Sequence, residues 1–239
     1  MTKIRIAGIT IGQTPRTDIN KDLLKVWDDS IEYLEFGALD NFGPTDLDAL
    51  RLRFKSGLES GREGNVLVSR LRDGKQITFY EEDILPEVER CVSQAEKAGC
   101  KCSILFCTGQ FPYVPHKRPL LVPRQLIFSI LPHLIQDDKL GILLPEAEQA
   151  EEMLKDPVKH FYNLNLKQIA IRTASPYAEF DQVVKAAQTL CEQDGARYIY
   201  LDCMGYSQAM KEAISKSCGV AVILPRTIIA RIVNEMYHS

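Results

Sequence analysis

The chain predicts an α/β protein of two similar lobes, each a parallel-type sheet flanked by helices, with a β-hairpin added to the first. Short runs rich in Ile, Val and Leu alternate with longer segments of helical period, the pattern of a parallel sheet with crossover helices. The segment 95–109 (AEKAGCKCSILFCTG) recurs as 191–205 (CEQDGARYIYLDCMG), an offset of 96 residues that aligns Glu96 with Glu192, Gly99 with Gly195, Leu105 with Leu201, Cys107 with Cys203 and Gly109 with Gly205. Hydrophobic residues make up 45% and charged residues 26% of the 239, which suits a folded globular chain and excludes disordered and fibrous classes.

Residues 3–10 form an apolar run that ends in polar turn chemistry, so a first strand leads into a helix over 16–28, with Thr14 as its N-cap and Pro15 in its first turn. A strand at 31–36 follows. A hairpin is predicted at 65–71 and 76–80, because Asp73-Gly74 between them favours a tight turn, and it reads as an edge decoration of the first lobe. The helix over 83–97 ends at Gly99, and the strand at 103–106 ends in the turn Cys107-Thr108-Gly109. A short strand at 120–122 then leads into a helix over 124–134 opened by Pro123-Arg124. The second half repeats the plan: strand 140–143, helix 146–154, strand 168–171, helix 178–193 ending at Gly195, strand 198–201 and the turn Cys203-Met204-Gly205. Helix 207–216, strand 220–224 and helix 227–236, opened by Pro225-Arg226, complete it.

Twenty-nine Lys and Arg against 32 Asp and Glu leave a net charge of -3, so no overall basic field exists to gather nucleic acid or an anionic membrane. The expected partner is a small anionic or carboxylate ligand or another protein, and a homodimer is compatible with the composition. No apolar run is long enough for a signal peptide or a membrane span, which points to the cytoplasm. Seven cysteines, odd in number and without C-x-x-C spacing, read as free thiols in a reducing compartment. The histidines at 116, 133, 160 and 238 lack i,i+4 pairing and no Gly-rich phosphate motif is present, so neither a metal nor a nucleotide cofactor is expected.

Ligands of open parallel sheets bind beyond the carboxyl ends of the strands, where Cys107 and Cys203 both fall. If a pseudo-twofold axis relates the halves, the two thiols face each other across a cleft and reach opposite sides of one carbon acid. A thiol with an ordinary pKa of about 8.5, lowered by a helix N-terminus, can serve as a base near neutral pH. Cys91, Cys100, Cys102, Cys191 and Cys218 read as packing or surface residues. Around the thiols, Arg16 can clamp a carboxylate, Gly12 and Gln13 can offer donors from the same loop, Thr108 can donate to an oxyanion and Tyr206 can stand over the cleft. Asp202 interrupts an apolar strand, so it either caps a backbone turn or tunes a proton acceptor. The Pro-rich run 110–119, with His116, Lys117 and Arg118, is either a lid or a solvated basic loop.

The segments IAGITIGQTPRTD, ILFCTGQF, GILLPEAEQ, LDCMGYSQAMKEAI and VAVILPRTIIARI resemble the AroM family over essentially the whole chain, and behind it the aspartate/glutamate racemase superfamily. That resemblance implies two α/β lobes with a strand-end cysteine in each, acting together as a cofactor-independent acid/base pair, positions that Cys107 and Cys203 match. It also implies a first lobe of residues 1–119 with 220–239 returning to it, a second of 120–219, and a place near the cleft for Ser175. The chain departs from those racemases where they typically carry Asn-Thr after the first cysteine and Thr-His after the second: here stand Thr108-Gly109 and Met204-Gly205. The expected function is a cofactor-independent racemase- or isomerase-type enzyme that moves a proton on a small carboxylate. Two alternatives stand beside it: a non-catalytic carboxylate-binding or regulatory protein linked to aromatic amino-acid metabolism, and a hydrolase or lyase with Cys203 as sole nucleophile.

Overall fold

A computed structural model of the chain describes residues 3–161 and 164–237, so His238 and Ser239 lie outside the described residues. The first half contains β1 (Ile4–Thr10), α1 (Thr17–Leu23), β2 (Ile31–Gly37), α2 (Pro44–Glu59), β3 (Val66–Arg70), β4 (Gln76–Tyr80), α3 (Leu85–Lys97), β5 (Cys102–Phe106), β6 (Leu120–Leu121) and α4 (Pro123–Ile135). The second contains β7 (Leu140–Leu144), α5 (Ala147–Lys155), α6 (Pro157–His160), β8 (Ile169–Thr173), α7 (Phe180–Glu192), β9 (Tyr198–Leu201), α8 (Gln208–Cys218), β10 (Ala221–Ile223) and α9 (Pro225–Tyr237). One sheet has the order β2-β1-β5-β6 and the other β8-β7-β9-β10, with every pair parallel. Strand for strand the two orders are the same, so the repeat in the sequence is a repeat of topology. A parallel sheet is covered on both faces, which is why β5 and β7 are buried end to end and read as continuous apolar runs.

Each sheet is finished by a helix that follows the other sheet's last strand. From β6, α4 packs Ile127, Phe128, Leu131 and Ile135 against Leu140, Ile142 and Leu144 of β7. From β10, α9 packs Ile229, Ala230 and Val233 against Ile6 of β1, Ile104 of β5 and Leu23 of α1. The crossing point differs from the expected lobe boundaries. Residues 120–121 pair with β5 in the first sheet, and 221–223 pair with β9 in the second instead of returning to the first. The reason is reach: α8 ends at Cys218, Gly219 caps it in the left-handed region at φ 67°, and only Val220 remains before β10. Such a link cannot cross between sheets, so the helix crosses and the strand stays.

Arg226, at the second position of α9, is fully buried at this crossing. Its Nη1 donates to Asp22 Oδ2 (2.9 Å) and Asp18 O (2.8 Å), and its Nε donates to Met204 O (2.9 Å). Arg124 repeats the position in α4, its Nη2 donating to His160 O at 2.8 Å. The Pro-Arg signature is therefore more than a helix start: it ties each crossing helix to the groups around it.

Three expectations are corrected. The hairpin is no edge decoration, because β3 and β4 pair only with each other. Leu67, Ile77 and Phe79 enter the first core, while Ser175 Oγ donates to Gln76 Oε1 (2.7 Å), Gln149 Nε2 donates to Val66 O (3.1 Å) and Gln76 bonds Glu146. It clasps the second lobe. Helix α2 was absent from the sequence pattern because only Leu50 and Gly57 of its 16 residues are buried, which leaves no apolar stripe. Thr14 does not cap α1: it bonds Asp40 through its N–H and hydroxyl, both at 2.7 Å, and α1 begins after Arg16. Among the described residues no helix is long and apolar enough to cross a membrane.

Removing Arg226 strands the buried Asp22 carboxylate. The expected loss for Arg226→Ala is about 3–5 kcal/mol of folding stability, read from urea titration. A loss under about 1 kcal/mol would show that the crossing is not held there.

Candidate active site

The ends of β5 and β9 meet at one narrow cavity of about 10 Å³, room for roughly a single water molecule. Cys107, Thr108 and Gly109 line it from the first lobe, Asp202, Cys203 and Met204 from the second, Val68 and Ser69 from the hairpin, and Arg16 and Tyr177 from loops. Both cysteines stand in the same local geometry. Each Cys N–H turns back to the carbonyl two residues earlier, Leu105 O or Leu201 O, at 2.8 Å. Each Sγ then accepts the N–H of the glycine two residues on, 3.2 Å from Gly109 to Cys107 and 3.3 Å from Gly205 to Cys203. The Cys-Xaa-Gly repeat is thus a thiol-holding turn. Its glycines also permit close packing within each lobe, since a Cβ on Gly109 would lie 2.2 Å from Leu67 Cδ2 and one on Gly205 would lie 2.6 Å from the Tyr177 hydroxyl.

Burial pushes both thiols up, and the expected lowering by a helix N-terminus is not found: α8 begins only at Gln208. At Cys203 the rise is opposed by the Gly205 N–H, by the Arg16 charge and by Tyr177, while Asp202 adds to it. At Cys107 it is opposed by the Gly109 N–H and more weakly by the Arg124 charge, while Cys203 and Asp202 add to it. Cys203 is therefore the thiol whose surroundings better support a thiolate. Arg16 is 3% exposed, with Nε and Nη2 forked on Asp18 at 2.9 and 2.8 Å, Nη1 donating to Thr10 Oγ1 at 2.9 Å and Nη2 donating to the Tyr177 hydroxyl at 3.1 Å. Four of its five N–H groups are engaged, so it supplies a fixed positive charge and one remaining donor instead of an open carboxylate fork.

Other expected site residues lie elsewhere. Gln13 spends its side chain on Leu39 O (3.1 Å) and the Arg72 N–H (3.0 Å), pinning the 37–40 turn to the hairpin. Gly12 exists for close packing, because a Cβ there would come within 2.4 Å of Arg70 O and Ser69 Oγ. Tyr206 does not stand over the cleft: its ring is buried in the second core and its hydroxyl donates to Ala174 O at 2.7 Å. Ser175 serves the clasp and accepts the Tyr177 N–H at 3.2 Å. Residues 110–119 are no lid, since Phe111 and Val114 are buried in the first core and the N–H groups of Lys117 and Arg118 bond Glu96 on α3.

Three polar lining residues, Ser69, Gln149 and Tyr177, were missed by sequence reasoning. Tyr177 sits two positions after Ser175, so the loop was found without its ring. Ser69, 1% exposed with its hydroxyl unpartnered, was hidden in a hairpin read as peripheral. Asp202 lines the cavity beside Thr108 and is pushed up by burial, against the pull of Arg124. Among the described residues no group of three or more His, Cys, Asp or Glu is placed to hold a metal ion.

The model of the AroM protein family matches residues 6–237, and the chain belongs to that family. No curated protein matches it. Among solved structures it is similar to allantoin racemase from Pseudomonas fluorescens (TM-score 0.58, 14% identity, covering 98% of this chain and 90% of that one). It is also similar to the maleate isomerase Iso from Pseudomonas putida S16 (0.57, 7%, 98% and 93%) and to Picrophilus torridus aspartate racemase (0.53, 15%, 97% and 94%). The fold is the α/β fold of these racemases and isomerases.

Thiols raised above their unfolded value of about 8.5 keep protons that the unfolded chain releases. Their contribution to stability is full below about pH 8.5 and is lost as pH rises through the folded values, with Cys91 and Cys102, both pushed up to about 11 by burial, adding to the same fall. Urea midpoints measured from about pH 7 to about pH 10 are expected to decline above about 8.5. Iodoacetamide is expected to modify Cys203 several-fold faster than Cys107, and equal rates would contradict the asymmetry set by Arg16.

Proposed function

We propose that this chain is a cofactor-independent isomerase that moves a proton at an acidic carbon of a small carboxylate, with Cys203 and Cys107 on opposite sides of that carbon. One observation carries it: two thiols, one from each lobe, line the same narrow cavity in matching turns. Cys203 Sγ takes the proton as a thiolate, held by the Gly205 N–H with the Arg16 charge nearby. Cys107 Sγ–H returns a proton to the opposite face, so each turnover exchanges which sulfur is protonated. The ligand's carboxylate and the charge that develops on it are met by the Ser69, Thr108 and Tyr177 hydroxyls and the remaining Arg16 N–H. Room for roughly one water means that the lobes part to admit a ligand and close again over it.

A second reading has its own support. Burial pushes both thiols up, which disfavours the thiolate that proton transfer needs and suits a protein that binds a carboxylate without turning it over.

The two readings separate in deuterium oxide with a panel of small amino, hydroxy and unsaturated carboxylates followed by proton NMR. The proton-transfer reading predicts loss of a carbon-bound proton signal for some member, slowed by more than about a hundredfold in both Cys107→Ser and Cys203→Ser. Ligand-dependent thermal stabilisation with no exchange, unchanged in either variant, selects the binding protein.

A further inference from the structure

A second cavity of about 30 Å³ adjoins the thiol cavity, with Thr108, Gly109, Gln149 and Asp202 forming walls of both. Arg124, from the start of α4, and Asn65, from the residue before β3, add to its polar lining, together with Gln110, Glu152 and His160. Arg124 and Asp202 are 7% and 3% exposed, so both charges are nearly out of water. Their closest approach, Nη1 to Oδ2, is 3.7 Å, too long for a hydrogen bond. Arg124 is fixed from elsewhere, its Nη2 donating to His160 O at 2.8 Å and its guanidinium lying 4.3 Å above the Phe128 ring. Neither Asp202 oxygen nor Arg124 Nη1 has a partner within hydrogen-bond distance, although the Thr108 and Tyr200 hydroxyls stand close enough to oppose the rise of the Asp202 carboxyl.

The amides of this cavity are oriented by what they do on their other side. Gln149 Nε2 donates to Val66 O (3.1 Å) and Asn65 Nδ2 lies 3.4 Å from Gln110 O, so in each case the nitrogen is engaged by backbone and the oxygen remains. Asn65 Oδ1 and Gln149 Oε1 are buried and unpartnered. The cavity therefore combines several idle acceptors with one idle cationic donor; the Arg124 and Asp202 charges offset each other, and the Glu152 carboxylate is offset by Lys155 Nζ at 3.6 Å. A carboxylate here would face acceptors, and an ammonium would face Arg124. A neutral group with N–H donors beside one carbonyl oxygen suits both kinds of wall. Buried polar atoms without partners cost about 1–3 kcal/mol each, so a ligand that pairs them is favoured and an analogue that cannot pair them is rejected.

We propose that the Arg124–Asp202 pocket is a recognition subsite for the non-reacting end of the ligand, and that it takes a neutral carboxamide-type group, its N–H groups on Asn65, Gln149 and Asp202 and its carbonyl oxygen on Arg124. This rests on the reading that the acidic end of the same molecule lies between the thiols. The ligand class is then a small carboxylic acid bearing a carboxamide, not a dicarboxylate.

Calorimetric titration with malonamate, succinamate and glutaramate against malonate, succinate and glutarate tests it in the full-length protein. The tests use both wild type and Cys203→Ser, in which proton transfer is disabled. The best monoamide is expected to bind at least about tenfold more tightly than its parent diacid in both proteins. In Gln149→Leu, a change at a half-buried helix position, that preference is expected to vanish, the lost bond to Val66 O weakening monoamide and diacid alike. Equal or tighter binding of the diacids, a preference that survives Gln149→Leu, or binding of no compound overturns the subsite. A preference that persists in Cys203→Ser while wild type exchanges no proton upholds the subsite and defeats the proton-transfer reading alone.

Discussion

Exchange of the two final helices is the constraint from which the rest of this structure follows. A parallel sheet exposes two apolar faces, and here each sheet receives part of its cover from a helix that starts at the end of the other sheet. Neither half can complete its core alone. The arrangement also decides where chemistry can sit. Because α4 and α9 cross between the lobes, the carboxyl ends of β5 and β9 are drawn to one gap, and whatever stands at those ends shares it. The buried arginines at the second position of each crossing helix then bind local backbone carbonyls and carboxylates, so the crossing is specified by polar geometry as well as by apolar area.

The two kinds of inter-lobe contact differ in strength, and the difference gives the molecule a way to move. The crossings are buried apolar cores with an ion pair at Arg226 and Asp22. The clasp over the cavity is a handful of hydrogen bonds, among them Ser175 to Gln76, Gln149 to Val66 and Arg16 to Tyr177, each worth about 0.5–1.5 kcal/mol net. Opening at the clasp while the crossings hold is the less costly route to admitting a ligand. Gly109 and Gly205 let each lobe fold tightly on its own thiol turn, because neither turn leaves space for a Cβ beneath Leu67 or Tyr177.

Much of this was legible in sequence for a physical reason. Strands buried on both faces must be apolar throughout, so β1, β5, β7 and β9 stood out, and a duplicated strand end placed Cys107 and Cys203 in equivalent turns. Helix α2 was not legible because it is mostly solvated. The lobe boundary was misplaced because a connection's reach decides it: a strand only two residues beyond the end of α8 cannot change sheets. The polar residues divide the same way. Gln13 and Tyr206 have the chemistry of site residues but are consumed by Leu39, Arg72 and Ala174, whereas Ser69 and Tyr177 reach the thiols only through closure between distant segments. Local pattern does not encode that closure.

The central claim is that a thiol from each lobe fronts one shared cavity. Treating the native protein with the short bifunctional thiol reagent dibromobimane, then mapping the digested peptides by mass spectrometry, tests it directly. The account predicts a single dominant crosslink joining the peptides that carry Cys107 and Cys203. Separate single-ended adducts at the two residues, or a crosslink from either to one of the other five cysteines, would contradict it.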